Sequence, residues 1–297
     1  LATGRPEFSA PWSESTHTLT IRLPRLQTEE AAQIVSYLAN DKLLPASDRE
    51  QILTRSDSVP LLIEELTKAV VETDAGQADP AQSITTRSSP VHVPSTLHDS
   101  LMARLDRLAT GKEVAQLASA IGREFSYDLL ATVYGTPDDE LINALGRLID
   151  ADLIHARGTP PNCSYVFKHA LIQEEAYASM LRDKRQGLHG RIAEVLETQG
   201  VVAASIPELL AHHLTAGGQP AKALPYWKDA GSRAKERAAY AEGCTHLAQA
   251  LELVEYAPSA LRRHLELELQ LQLGYCVQAA RGYAAPEVAA AYQRALE

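Results

Sequence analysis

The sequence predicts a mainly α protein built of successive helical parts, with one small β-hairpin among them. Three observations carry that expectation. Hydrophobic residues make up 45% of the 297 residues and aromatics only 5%, so the core is built mostly from Leu and Ala, which favour helix. Apolar residues recur at three- and four-residue spacing through most of the chain. Runs suited to strands are short, the clearest being Tyr165-Val166-Phe167 after the turn-rich Gly158-Thr159-Pro160-Pro161-Asn162.

Residues 1–26 read as the end of a truncated sheet. Leu1-Ala2-Thr3 suits a strand end and Thr18–Leu23 alternates as a strand, but two unpartnered fragments make no domain. A helical lid follows at 27–73. Thr28 is its expected first cap, ahead of Glu29 and Glu30, with Ala31, Ile34, Val35 and Leu38 as the buried face. A second helix over about 47–55 opens with Ser47 and Glu50 at capping-box spacing, and Pro60 starts a third where proline fits best. Residues 74–93, rich in Ser, Thr, Pro and Ala and without periodicity, read as a linker.

The stretch 94–182 predicts a compact unit of helices closed by a hairpin. Thr96 with Asp99 caps a helix carrying Leu97, Leu101, Leu105 and Leu108. A second helix holds Val114, Leu117, Ala118 and Ile121, and a short one follows Ser126. Thr136-Pro137-Asp138-Asp139 starts another, whose apolar side is Leu141, Leu145, Leu148 and Ile149. Two strands at about 152–157 and 164–168 complete a winged-helix arrangement. His169 then stands where the last strand turns into helix, and Ala170, Tyr177 and Leu181 are spaced to form that helix's inner stripe.

Residues 183–297 predict amphipathic helices near 206–216, 220–236, 238–256, 259–281 and 285–297, after a stripe of Leu181, Leu188, Ile192 and Leu196. Ala223 through Gly231 followed by Ala241 through Leu253 is similar to one tetratricopeptide repeat, and a period of 34 residues or more suits an α-solenoid.

Charge and composition exclude several function classes. With 28 basic and 38 acidic residues the net charge is −10, which opposes general affinity for nucleic acid or anionic membrane. No apolar run approaches the roughly 18 residues of a membrane span. Leu1 through Pro6 lacks the apolar core of a signal peptide, and with no initiator Met the chain reads as a piece of a longer protein. Cys163, Cys244 and Cys276 are too sparse for a disulfide framework or a zinc motif, so a reducing cytoplasm is expected.

The residues supply no catalytic constellation and no metal motif. Gly111-Lys112 is not a phosphate loop, since Asp106 holds the place of its first glycine and Glu113 that of the magnesium-binding Ser or Thr. His212 and His213 are adjacent on a helix and so point apart, the pattern of partly exposed structural histidines. Residues 137–150 set Asp138, Asp139, Glu140 and Asp150 against Arg147 alone, a poor surface for reading DNA.

The order of parts, with Arg5-Pro6-Glu7-Phe8, Val59 through Leu66, Leu97 through Asp106, Gly122 through Phe125 and Phe167 through Leu171, resembles the C-terminal portion of bacterial STAND-type ATPases. These are AAA+-related signalling proteins, and the likeness is to members fused to class III adenylate or guanylate cyclase domains or to LuxR-type regulators. The resemblance implies ATP or ADP as cofactor of the whole parent. It implies that Arg5 senses the nucleotide phosphates, that Pro60 packs on adenine, and that His169 contacts the β-phosphate of ADP. Ser58 stands where that turn carries glycine, the residue suited to positive φ. The phosphate loop and magnesium-binding acid would precede Leu1, so this chain by itself is expected to hydrolyse nothing. Its partners would be upstream nucleotide-binding and effector domains, with a protein or small-molecule signal on the repeats. A winged-helix transcription regulator and a plain helical scaffold are the competing expectations, and in both His169 is an ordinary hydrogen-bonded hinge residue.

Overall fold

The computed structural model describes residues 21, 24–39, 44–76, 97–135, 138–198 and 205–296. Expectations that rest on residues 1–20, Thr96, Thr136, Pro137 or most of the 74–93 linker lie outside the described residues. Among these, fourteen α-helices and a three-stranded antiparallel sheet make a mainly α protein with a small hairpin and helical repeats. The chain divides into two compact units, Leu1–Leu101 and Met102–Glu297. None of the described helices is long and apolar enough to cross a membrane.

The first unit contains α1 (Thr28–Ala39), α2 (Ala46–Ser56) and α3 (Pro60–Gly76). Ala31, Val35, Ile52, Ile63, Leu66 and Val70 form their shared core. The cap of α1 sits one residue earlier than the sequence suggests. Glu30 accepts a bond from the backbone N–H of Gln27 at 2.8 Å, so Thr28 is already inside the helix. The capping box at Ser47 does not form, because α2 starts after Pro45 and the Ser47 hydroxyl turns to Asp48 instead. Proline fixes its own φ and so ends the extended approach to the helix without a side-chain cap. Pro60 opens α3 as expected.

The division at Leu101 falls inside α4 (Leu97–Arg107), and the second unit goes on through α5 (Thr110–Ile121), β1 (Glu124–Ser126), α6 (Tyr127–Tyr134), α7 (Asp138–Asp150), β2 (Ile154–Thr159) and β3 (Asn162–Phe167). β3 is central, pairing β1 through Phe125↔Tyr165 and β2 through Ala156↔Tyr165. Alternation turns Cys163, Tyr165 and Phe167 inward, where Phe125 lies 5.7 Å from the Tyr165 ring and 5.6 Å from that of Phe167. Ser126 caps α6, its hydroxyl accepting the Leu129 N–H at 3.3 Å. Ile149 is 38% exposed, so α7 buries Leu141, Ala144, Leu145 and Leu148 and turns that isoleucine outward.

Then follow α8 (Ala170–Ala178) and α9 (Arg182–Thr198). The expected inner stripe of Ala170, Tyr177 and Leu181 is offset: α8 buries Ile172 and Ala176 instead. The helix ends at Ser179, so Leu181 starts a new turn and is 81% exposed. After it come α10 (Pro207–Ala216), α11 (Pro220–Glu236), α12 (Tyr240–Glu252), α13 (Ser259–Arg281) and α14 (Pro286–Leu296), each packed on its chain neighbour. Lys228 of α11 reaches Glu268 of α13 at 2.6 Å, and Ser232 reaches Gln272 at 3.0 Å. Both pairs span 40 residues, so α11 and α13 meet across the intervening α12.

Candidate functional site

His169 is fixed from both sides by the sheet. Immediately before it, the Phe167 N–H donates to the Arg123 carbonyl at 3.0 Å and the Lys168 N–H to that of Leu153 at 3.1 Å. Lys168 Nζ also meets the Asp152 carboxylate at 2.5 Å. The backbone at His169 is extended, with φ −129° and ψ 144°, and its carbonyl accepts the Ile172 N–H to start α8. α8 is held on α5 by its buried Ile172 and Ala176 and by Gln173 Nε2, which donates to the Ser119 carbonyl at 2.9 Å.

The imidazole makes no capping bond, and its Nε2 is buried without a hydrogen-bond partner among the described residues. A buried unpaired polar atom costs about 1–3 kcal/mol. This one lies at a helix N-terminus, where free backbone N–H groups and the helix dipole favour an anion. In the tautomer protonated at Nε2 this nitrogen would be a donor suited to an oxyanion, and no hydrogen bond of the imidazole among the described residues would be given up to provide it.

Pro60 sits after a turn in which Asp57 and Ser58 both take positive φ, 47° and 57°. The Ser58 carbonyl accepts the Leu26 N–H at 3.2 Å, Val59 donates to the Ser56 carbonyl at 2.9 Å, and Arg25 pairs with Asp57. Ser58 thus adopts the left-handed conformation suited to glycine. Pro60 itself is exposed. Arg5 lies outside the described residues. Pro60 belongs to the first unit and His169 to the second.

Sequence reasoning missed a second histidine group. His213 is fully buried, contrary to the expectation that it would be partly exposed; His212 beside it does face solvent. His213 Nδ1 lies 2.8 Å from Nδ1 of His189, and His189 Nε2 lies 3.0 Å from the Tyr177 hydroxyl. Arg185 stacks over the Tyr177 ring at 5.2 Å. Gly217, closing α10, lies so near the Gly190 backbone that a Cβ there would stand 2.9 Å from its nitrogen, and this approach brings the two imidazoles together. The pattern was available: His189 follows the register of Leu188, Ile192, Ala193 and Leu196, and His213 that of Leu210 and Leu214. What the sequence could not give was their mutual distance.

Two facing nitrogens 2.8 Å apart share one proton and have no room for two. Burial accordingly holds His189 down to about 4, with His212 and Arg185 adding to the effect. Burial likewise holds His213 down to about 3, helped by His189 and His212. The pair is neutral at ordinary pH and joins α8, α9 and α10. Among the described residues no group of three or more His, Cys, Asp or Glu is arranged to hold a metal ion.

No family model matches the chain. Over 262 residues it is 30% identical to an uncharacterized protein of Rhizobium meliloti (strain 1021), an overlap covering 85% of this chain and 25% of that protein. The chain therefore spans about a quarter of the length of the curated relative it matches.

Proposed function

We propose that this chain is the regulatory part of a STAND-type signalling ATPase, in which ATP or ADP bound in the parent controls a helical-repeat sensor. The observation that carries the reading is the Nε2 of His169, buried and unpaired at the N-terminus of α8. An ADP phosphate oxygen is the acceptor that such a nitrogen lacks, and ATP with a signal on the repeats would release it. The positive φ of Ser58 supports the same reading, since the turn before Pro60 keeps the glycine-type conformation without the glycine. Arg5 is proposed as the phosphate sensor and Pro60 as the adenine contact. The chain itself carries no hydrolytic step; the parent would supply the ATPase and an effector such as a nucleotide cyclase, in the cytoplasm.

Calorimetry of the whole parent protein with ADP tests this. His169→Ala is expected to weaken ADP about 10- to 100-fold, the equivalent of one hydrogen bond to a charged group. Unchanged ADP affinity would remove the sensor role.

A further inference from the structure

Among the described residues, α7 carries a face that no neighbouring element of its unit covers. At 100° per residue, Gly146 runs along the middle of its outward arc, with Ile142 and Ile149 on one flank and Asp139, Asn143 and Asp150 on the other. The isoleucines are 43% and 38% exposed, while Leu141, Ala144, Leu145 and Leu148 take the inward side.

Gly146 has no intramolecular reason to be glycine. It is a poor helix former in the middle of a helix, its φ is not positive, and a Cβ there would meet nothing within 4 Å. Gly231 and Gly274 differ. A Cβ at those positions would come within 2.6 Å of Leu247 and 2.8 Å of Tyr292, so helix packing requires them. A glycine centred on an open face leaves room for a second backbone to approach closely. Asp139 and Asp150 form no ion pair among the described residues, so their charge is available to an incoming group.

We infer that this face of α7 docks a basic amphipathic helix of a partner protein. Apolar side chains of the partner lie on Ile142 and Ile149, its backbone crosses near Gly146, and Lys or Arg residues cover Asp139 and Asp150. The two aspartates are eleven residues apart, about 16 Å along the helix, so the partner presents cations at a matching separation. Asp139, Glu140 and Asp150 outnumber Arg147 on the exposed side of α7, which favours a cationic partner helix over nucleic acid or anionic lipid, while a second copy, offering one arginine against three carboxylates, is the poorer match. The inference stands independently of the nucleotide reading.

The test uses the full chain and a fluorescent synthetic helix with leucines seven positions apart and lysines eleven apart, beside a scrambled peptide of equal composition. Anisotropy titrations are expected to show the helical probe binding at least tenfold tighter than the scrambled one. Asp139→Asn with Asp150→Asn should weaken the probe about tenfold and flatten its salt dependence. Gly146→Leu should weaken it comparably without lowering the Tm, and Gly146→Ala should raise the Tm. Equal binding of both peptides, equal binding to wild type and variants, or no binding at all would overturn the proposal.

Discussion

His169 and His189 are both packed imidazoles next to α8, and the fold treats them in opposite ways. His189 has both nitrogens bonded inside the protein, to Tyr177 and to His213. His169 has a buried Nε2 with no partner among the described residues. The first is saturated, so its removal harms the structure. The second leaves its Nε2 unsaturated, so its removal should cost the fold little.

The largest expected effect sharpens that contrast. His189→Ala leaves a cavity and strips partners from the Tyr177 hydroxyl and His213, costing about 3 kcal/mol. His169→Ala breaks no bond made by the side chain and should change stability by less than about 1 kcal/mol. Denaturant unfolding of the two variants checks this, and equal losses would break the comparison.

Acid comes next. In the unfolded chain an imidazole titrates near 6.5, whereas His189 and His213 are held to about 4 and about 3 when folded. Below 6.5 the unfolded state therefore binds more protons, so stability is intact above that pH and is lost as the pH falls toward the folded values. Each histidine contributes up to about 1.4 kcal/mol per pH unit in that window. Unfolding free energies measured between pH 7 and 5 should show the slope. The slope should lessen by about one proton in His189→Gln, and an unchanged slope would contradict the shared-proton geometry.

The smallest effect lies in the first unit. Ser58 holds φ at 57°, a conformation that costs a non-glycine residue about 1 kcal/mol. Ser58→Gly should therefore raise stability by about that amount, read as a higher midpoint of denaturation. A decrease would mean that the serine side chain supports the turn.

The repeats were largely legible because proline and glycine punctuate them. Pro220, Pro258 and Pro286 mark starts and the pair Gly217-Gly218 an end that the structure places within one residue of expectation, whereas the helix expected to reach 256 stops at Glu252 and gives way to a 3-10 turn at Val254–Tyr256. β1 was missed because its three residues carry no periodicity and become a strand only by pairing with β3. The buried side of α8 was misjudged because the apolar spacing was carried through Leu181, although the helix stops at Ser179. His169 was visible as a junction residue, but its lack of a partner was not, since a missing hydrogen bond exists only in three dimensions. The His189–His213 contact was hidden for the same reason, being a distance between residues 24 apart.

The comparison is tested most directly by the side-chain 15N resonances of the histidines in the parent protein, recorded with and without ADP. The account predicts a large shift at His169 Nε2 and none at His189, whose nitrogens are already occupied. Silence at His169, or an equal response at both, would contradict it.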